Sequence, residues 1–456
     1  MLTSDTSPPV SLCDSISIYH QTLLQKHSEH KVSDRTAHPG RHTISLAVTQ
    51  KIFFVMTPST DFTADSPQAW YRLIVVLMLS IIVGVGMWSV VVVLPAVQTD
   101  FGVDRSGASI PYVLTMVGYG LGGVIFGRFS DRFGIFKTVL IGIVLMTAGY
   151  AIAPMSPGIG TLSVIHGILI GIGTSTTFAP LIAHVSHWFE RRKGAAVGII
   201  ASGQYFAGAV WPIVLERWVD HYGWQIAYWL VALILLIVAL PLTAILRVSP
   251  ASASNTDQAS VGSQPVAVRP KMLIALLMFS AFGCCVAMSM PQVHLVAFCS
   301  DLGFGPARGA QMLAVLLAFG VVSRLGFGWI SDRIGGLCTV VVGVFLQGIG
   351  LAFFLFAETV SGLFAVSAMF GLFQGGIVPA YALTVRENFP QRIVGERVGM
   401  VMLASLAGMA VGGWIPGYIV DITGTYDGAF INGLVWNTVT LGVVTFLLFR
   451  STSARR

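Results

Sequence analysis

GRFSDRFG at residues 127–134 and GWISDRIG at 328–335 are one phrase written twice, 201 residues apart. In each copy an apolar run ends on Ser-Asp-Arg, and Gly follows two residues later, where the next apolar run begins. A duplicated charged hinge between apolar segments is what two homologous membrane bundles leave in a sequence. Movement of a solute across a membrane is therefore the first function to weigh.

Composition points the same way. Of 456 residues, 55% are hydrophobic and only 10% are charged, and the mean hydropathy is +0.79. A soluble domain carries about a quarter charged residues. The isoelectric point near 9.1 would fit nucleic acid, but the basic residues stand at the ends of apolar runs, as topological charges do. Nucleic acid is not an expected partner. The cysteines at 13, 284, 285, 299 and 338 make no CxxC pair and no metal spacing, and read as small hydrophobes. No metal site and no cofactor is expected.

A spanning helix needs about 20 mostly apolar residues. Runs of that size lie near 72–95, 108–128, 136–155, 159–186, 194–215 and 225–246, then near 271–298, 307–329, 337–357, 360–385, 397–419 and 428–449. The predicted architecture is an all-α membrane protein of twelve spans in two pseudo-symmetric bundles, 66–246 and 271–450. Between them, 247–270 is rich in Ser, Ala and Pro without periodicity and reads as a flexible linker. Residues 451–456 form a short tail. The first 65 residues hold no spanning run and no secretory signal, and their histidines (20, 27, 30, 38, 42) have no regular metal spacing. They read as a disordered tail, or, for 1–55, as sequence ahead of a start at Met56.

Lys and Arg set the orientation. With the 128–137 hinge inside, seventeen basic residues face the cytoplasm and only Arg105, Arg217 and Arg308 face out, the first 51 residues set aside. Both termini and the linker are then cytoplasmic, in a cell membrane, and a bacterial inner membrane is the expected location.

The repeat extends beyond the hinge. WVDHYG at 218–223 answers IVDITG at 419–424, and Pro180 answers Pro379. Twelve spans as six plus six, with SDRFG and SDRIG after the second and eighth, resemble the major facilitator superfamily. HWFERRKGAAVGIIASG (187–203), DHYGWQIAYW (220–229), PQVHLVAFCSDLG (291–303) and LLAFGVVSRLGFGWISDRIG (316–335) resemble its monocarboxylate-transporter branch and bacterial relatives. The resemblance implies a gate at the hinges: Asp131 with Arg132, and Asp332 with Arg333. There a carboxylate meets a neighbouring helix N-terminus, an attraction of about 0.3–1 kcal/mol, while Gly134 and Gly335 permit the tight turn.

Placed against the spans, every Lys and Arg falls at an end except Arg324. An intramembrane cation is costly and is expected to face a cavity or partner; its planar fork matches a carboxylate. The resemblance puts Arg324 on the helix-eight arginine that monocarboxylate transporters use for the substrate carboxylate. Two departures accompany this: Gly320 stands where animal members carry an Asp, and 73–100 contains no Lys or Arg. No span carries a mid-membrane Asp or Glu, so His294 is the candidate for a coupling proton. His294, Gln292, Gln204, Tyr205, Gln374 and Tyr381, with Trp88 and Tyr119 as aromatic walls, complete the candidate substrate site. Gln204, Tyr205, Gln374 and Tyr381 also read as helix-packing polar glue, and His294 and His166 as histidines hydrogen-bonded to backbone.

Two functions compete. One is a secondary transporter of a small organic anion, a monocarboxylate, working by alternating access and as a monomer. The other is an exporter of drugs or other amphipathic compounds. An enzyme is not expected: no HExxH, P-loop or nucleophile elbow occurs.

Overall fold

Each copy of the duplicated phrase folds the same way. In a computed structural model, which describes residues 65–189, 191–247 and 269–453, the helix before each hinge runs through Ser-Asp-Arg to the residue before Gly. Gly134 (φ 85°, ψ 158°) and Gly335 (φ 80°, ψ 163°) then turn the chain in a conformation open in practice only to glycine. The Gly134 N–H donates to the Ser130 carbonyl and the Gly335 N–H to that of Ser331, both at 2.9 Å. One turn later the Thr138 and Thr339 hydroxyls donate to the carbonyls of those glycines at 2.9 and 2.8 Å. Every partner repeats at a spacing of 201.

Among the described residues all regular structure is helical. The spans are α1 (Pro67–Phe101), α2 (Arg105–Phe133), α3 (Ile135–Met155), α4 (Ile159–Val185), α5 (195–222) and α6 (224–247) in the first half. The second half holds α7 (Pro270–Asp301), α8 (Pro306–Ile334), α9 (Gly336–Phe354), α10 (Val360–Asn388), α11 (Gln391–Thr423) and α12 (Asp427–Ser453). By length alone there are 11 continuous apolar stretches, because 195–247 runs on for 53 residues. Gly223, at φ 82° and ψ 162°, divides that stretch. The twelve expected spans are present. Most helices outrun their apolar cores by several residues, since the hydrophobic run measures the bilayer and the helix continues into its interface. Residues 1–64 of the proposed tail (1–65) and nearly all of the 247–270 linker lie outside the described residues.

The halves meet along two seams, α2 against α11 and α5 against α8. Glycines make both close. Gly413 of α11 receives the Tyr112 ring, Gly208 of α5 lies under Trp88 and Leu317, and Gly320 of α8 receives the Tyr205 ring. Without a hydrophobic drive between helices in lipid, such close approach supplies the packing. Inside the first half α1 breaks at Gly84, which abuts Ala207 and the Gln204 side chain of α5. A π-helical turn over His166–Gly171 interrupts α4.

Candidate functional site

The α5–α8 seam gathers four of the sequence candidates. Trp88 in α1 donates its indole N–H to the Gln204 carbonyl at 3.0 Å. The next residue, Tyr205, lays its ring beneath Arg324 of α8, with Cζ 4.3 Å from the ring centroid. Arg324 Nη1 donates to the Ala201 carbonyl at 2.7 Å, one turn earlier on α5. Trp88, Tyr119, Gln204 and Tyr205 are buried, and Arg324 is half-buried. So one guanidinium from the second half is stacked and hydrogen-bonded on a helix of the first.

What this seam leaves unbonded is chemically specific. Arg324 Nε is buried without a partner among the described residues, and so are both polar atoms of the Gln204 amide. Among those residues no carboxylate pairs with Arg324. A buried donor without an acceptor is costly, and an anion with a polar substituent is a group that such a set can receive.

Gly320 accounts for the missing acid of α8. A side chain there would run into the Tyr205 ring, so an Asp at this position and the arginine–tyrosine stack exclude each other.

The other candidates lie elsewhere. Gln292 of α7 donates from Nε2 to Oε1 of Gln374 on α10 at 3.2 Å inside the second half, which leaves the Gln374 Nε2 without a partner among the described residues. Tyr381 is buried in that half's apolar core. His294 donates from Nε2 to the Gly413 carbonyl of α11 at 2.8 Å, and its Nδ1 has no partner among the described residues. No described contact joins any of these four to Arg324. His166 is fully buried between the Thr115 hydroxyl (3.3 Å) and the Tyr228 hydroxyl (3.1 Å), a structural placement.

At the hinges, Arg132 lies over the Phe133 ring at 5.3 Å and Arg333 over Trp329 at 3.6 Å. Asp332 is exposed and makes no described hydrogen bond, and the Asp131 side chain is not among the described ones. The start of α9 is instead capped by Glu387 of α10, whose oxygens accept from the Gly336 N–H at 3.0 and 3.1 Å. That carboxylate was invisible to motif reading because it comes from a helix distant in sequence.

Arg105, at the end of a span rather than inside one, is also withdrawn from solvent. Arg105, read from sequence as an outer loop charge, opens α2 with only 10% of its side chain exposed and pairs with Asp301. The partner lies 196 residues away, so no local pattern announces it.

Comparison with known proteins agrees with this architecture. The family model described as Major Facilitator Superfamily matches residues 76–360. An uncharacterized MFS-type transporter of Bacillus subtilis, YcxA, is 26% identical over 72% of this chain and 82% of its own length. Monocarboxylate transporter 13 of Bos taurus is 28% identical over 71% of this chain and 75% of its own. The agnestins efflux protein AgnL12 of Paecilomyces divaricatus is 27% identical over 86% and 89%. Among solved structures, a bacterial homologue of the human lysosomal transporter Spinster superposes with a TM-score of 0.60, at 14% identity, over 85% of this chain and 96% of that one.

Proposed function

The chain belongs to the major facilitator superfamily, and we propose that it moves a small organic anion, a monocarboxylate, by alternating access about the α5–α8 seam. Family membership makes it a multi-pass membrane transporter rather than an enzyme. The observation that carries the substrate reading is Arg324. It is stacked on Tyr205 and anchored by Nη1 to Ala201, and it keeps a buried Nε without an acceptor among the described residues. A planar guanidinium held at its base offers its remaining donors to a carboxylate. Trp88, Tyr119 and the Gln204 amide, which has no partner among the described residues, complete the proposed site, and a monocarboxylate transporter among the relatives supports the same class.

In this reading the two halves rock about the site as rigid bodies, and the protein acts as a monomer. If transport is proton-linked, His294 is the group we assign to it, through the Nδ1 that has no partner among the described residues. The seventeen-to-three distribution of basic residues supports both termini and the 247–270 linker in the cytoplasm. The efflux protein among the relatives favours a second reading, export of amphipathic compounds.

A screen of radiolabelled monocarboxylates in proteoliposomes, with and without a pH gradient, separates the two. Uptake of a carboxylate that Arg324→Gln abolishes supports the anion reading. Indifference to every carboxylate, with efflux of an amphipathic dye, replaces it with the exporter.

A further inference from the structure

A charge cluster closes the end of the molecule opposite the hinge loops, and the proposed anion site does not use it. Arg105 opens α2, Asp301 ends α7, and Asp421 lies near the end of α11. Arg105 Nη2 donates to both oxygens of Asp301, at 2.9 and 2.8 Å. One oxygen of Asp421 accepts the Arg105 backbone N–H and the other that of Ser106, each at 2.8 Å. Two carboxylates of the second half are thus held by the first turn of one helix in the first. A helix N-terminus has free N–H groups and a partial positive charge, so Asp421 is well placed there. Gly417 lets α11 approach: a Cβ on it would lie 3.1 Å from the Arg105 carbonyl.

The duplication supplies an internal control. At the 201-residue spacing, Asp100 corresponds to Asp301, Asp220 to Asp421, and Pro306 to Arg105. Asp100 accepts from the Trp224 indole and the Gln225 amide of its own half, both at 2.9 Å. Asp220 is exposed, 3.6 Å from the His221 ring. Pro306 has neither a backbone N–H nor a charge to offer, so the equivalents of the bonds Arg105 makes cannot form at the start of α8. Of two seams related by pseudo-symmetry, only one is tied ionically at this end among the described residues.

We propose that Arg105, Asp301 and Asp421 form an interdomain latch on this face, which breaks each time the carrier opens here and reforms when it closes. Rocking the halves apart at this end withdraws Arg105 from both carboxylates together, so the latch biases the conformational equilibrium toward the state closed on this side. Arg105 Nε and Nη1 have no partner among the described residues, so a single guanidinium nitrogen carries the side-chain bond. Such a contact is easier to remake than a fully bidentate fork. That this face is the outer one rests on the orientation proposed above; the latch itself does not.

Ser109, fully buried one turn along α2 with its hydroxyl on the Arg105 carbonyl, is a reporter. In Ser109→Cys protein a membrane-impermeant maleimide is applied to right-side-out and inside-out vesicles, and peptide mapping locates the label. The latch predicts slow labelling in the parent and a several-fold rise with Arg105→Ala or the isosteric Asp301→Asn. Arg105→Lys should keep much of the protection, and Arg308→Ala at the untied seam should change nothing. Unchanged labelling in both Arg105→Ala and Asp301→Asn, with protein present in the membrane, overturns the latch. A rise seen only in inside-out vesicles keeps the latch and overturns the orientation. No substrate is needed, so the outcome is independent of the anion reading.

Discussion

The Tyr205 ring fills the space that a side chain on Gly320 would need. The two residues lie on different halves, so their fit sets how closely α5 and α8 approach and where the tyrosine face is offered to Arg324 one turn away. The absence of an acid at 320 is thereby a packing fact as well as an electrostatic one.

Gly320→Ala is expected to cost about 1–3 kcal/mol, the usual penalty for overfilling a close-packed site. Thermal unfolding of the detergent-solubilised protein should show the loss, and Tyr205→Ala in the same chain should return part of it. A Gly320→Ala protein as stable as the parent would mean that the ring does not sit against α8.

The Gly134, Gly223 and Gly335 turns make a second prediction. All three have φ between 80° and 85° with ψ near 160°. Replacing any one with Ala should cost about 1–3 kcal/mol through backbone strain, measured as lowered thermal stability. The same change at Gly123, which is mid-helix with nothing within 4 Å of the place a Cβ would take, should be neutral or stabilising.

Arg324 variants test the anion site. Arg324→Lys retains charge but loses the planar fork and should weaken carboxylate transport. Arg324→Gln should lower it by about tenfold or more, the equivalent of one charge-assisted hydrogen bond. Transport rates in proteoliposomes, normalised to protein present, check both. Wild-type rates in Arg324→Gln would end the reading.

Topology gives a fourth test. Single cysteines at 220 and 301 should react with an impermeant reagent applied to intact cells, whereas cysteines at 130 and 260 should not. The reverse pattern would invert the orientation taken from the basic residues.

Much of the fold was legible because bilayer physics writes it locally. A span must be about 20 apolar residues, so counting runs found twelve. The repeated SDR-x-Gly found the duplication, since a reversal between adjoining helices needs glycine at 134 and 335 whatever surrounds them. The site was legible only in part. Arg324 stood out because a charge in an apolar run is rare. Gln292 and Gln374 looked equally promising, yet they pair with each other, and nothing in a polar residue's own segment says which helix it will meet.

By itself, then, the sequence determined the helical class, the span count, the duplication and the one arginine set within a span. Those depend on what each segment must do alone in lipid. Only the tertiary structure decided that Tyr205 excludes a side chain at 320, that Glu387 caps α9, and that Arg105 belongs to a shielded pair with Asp301 rather than to a loop. Each of those is a contact between helices remote in the chain, fixed by how closely glycine lets backbones approach, and no local pattern carries that distance.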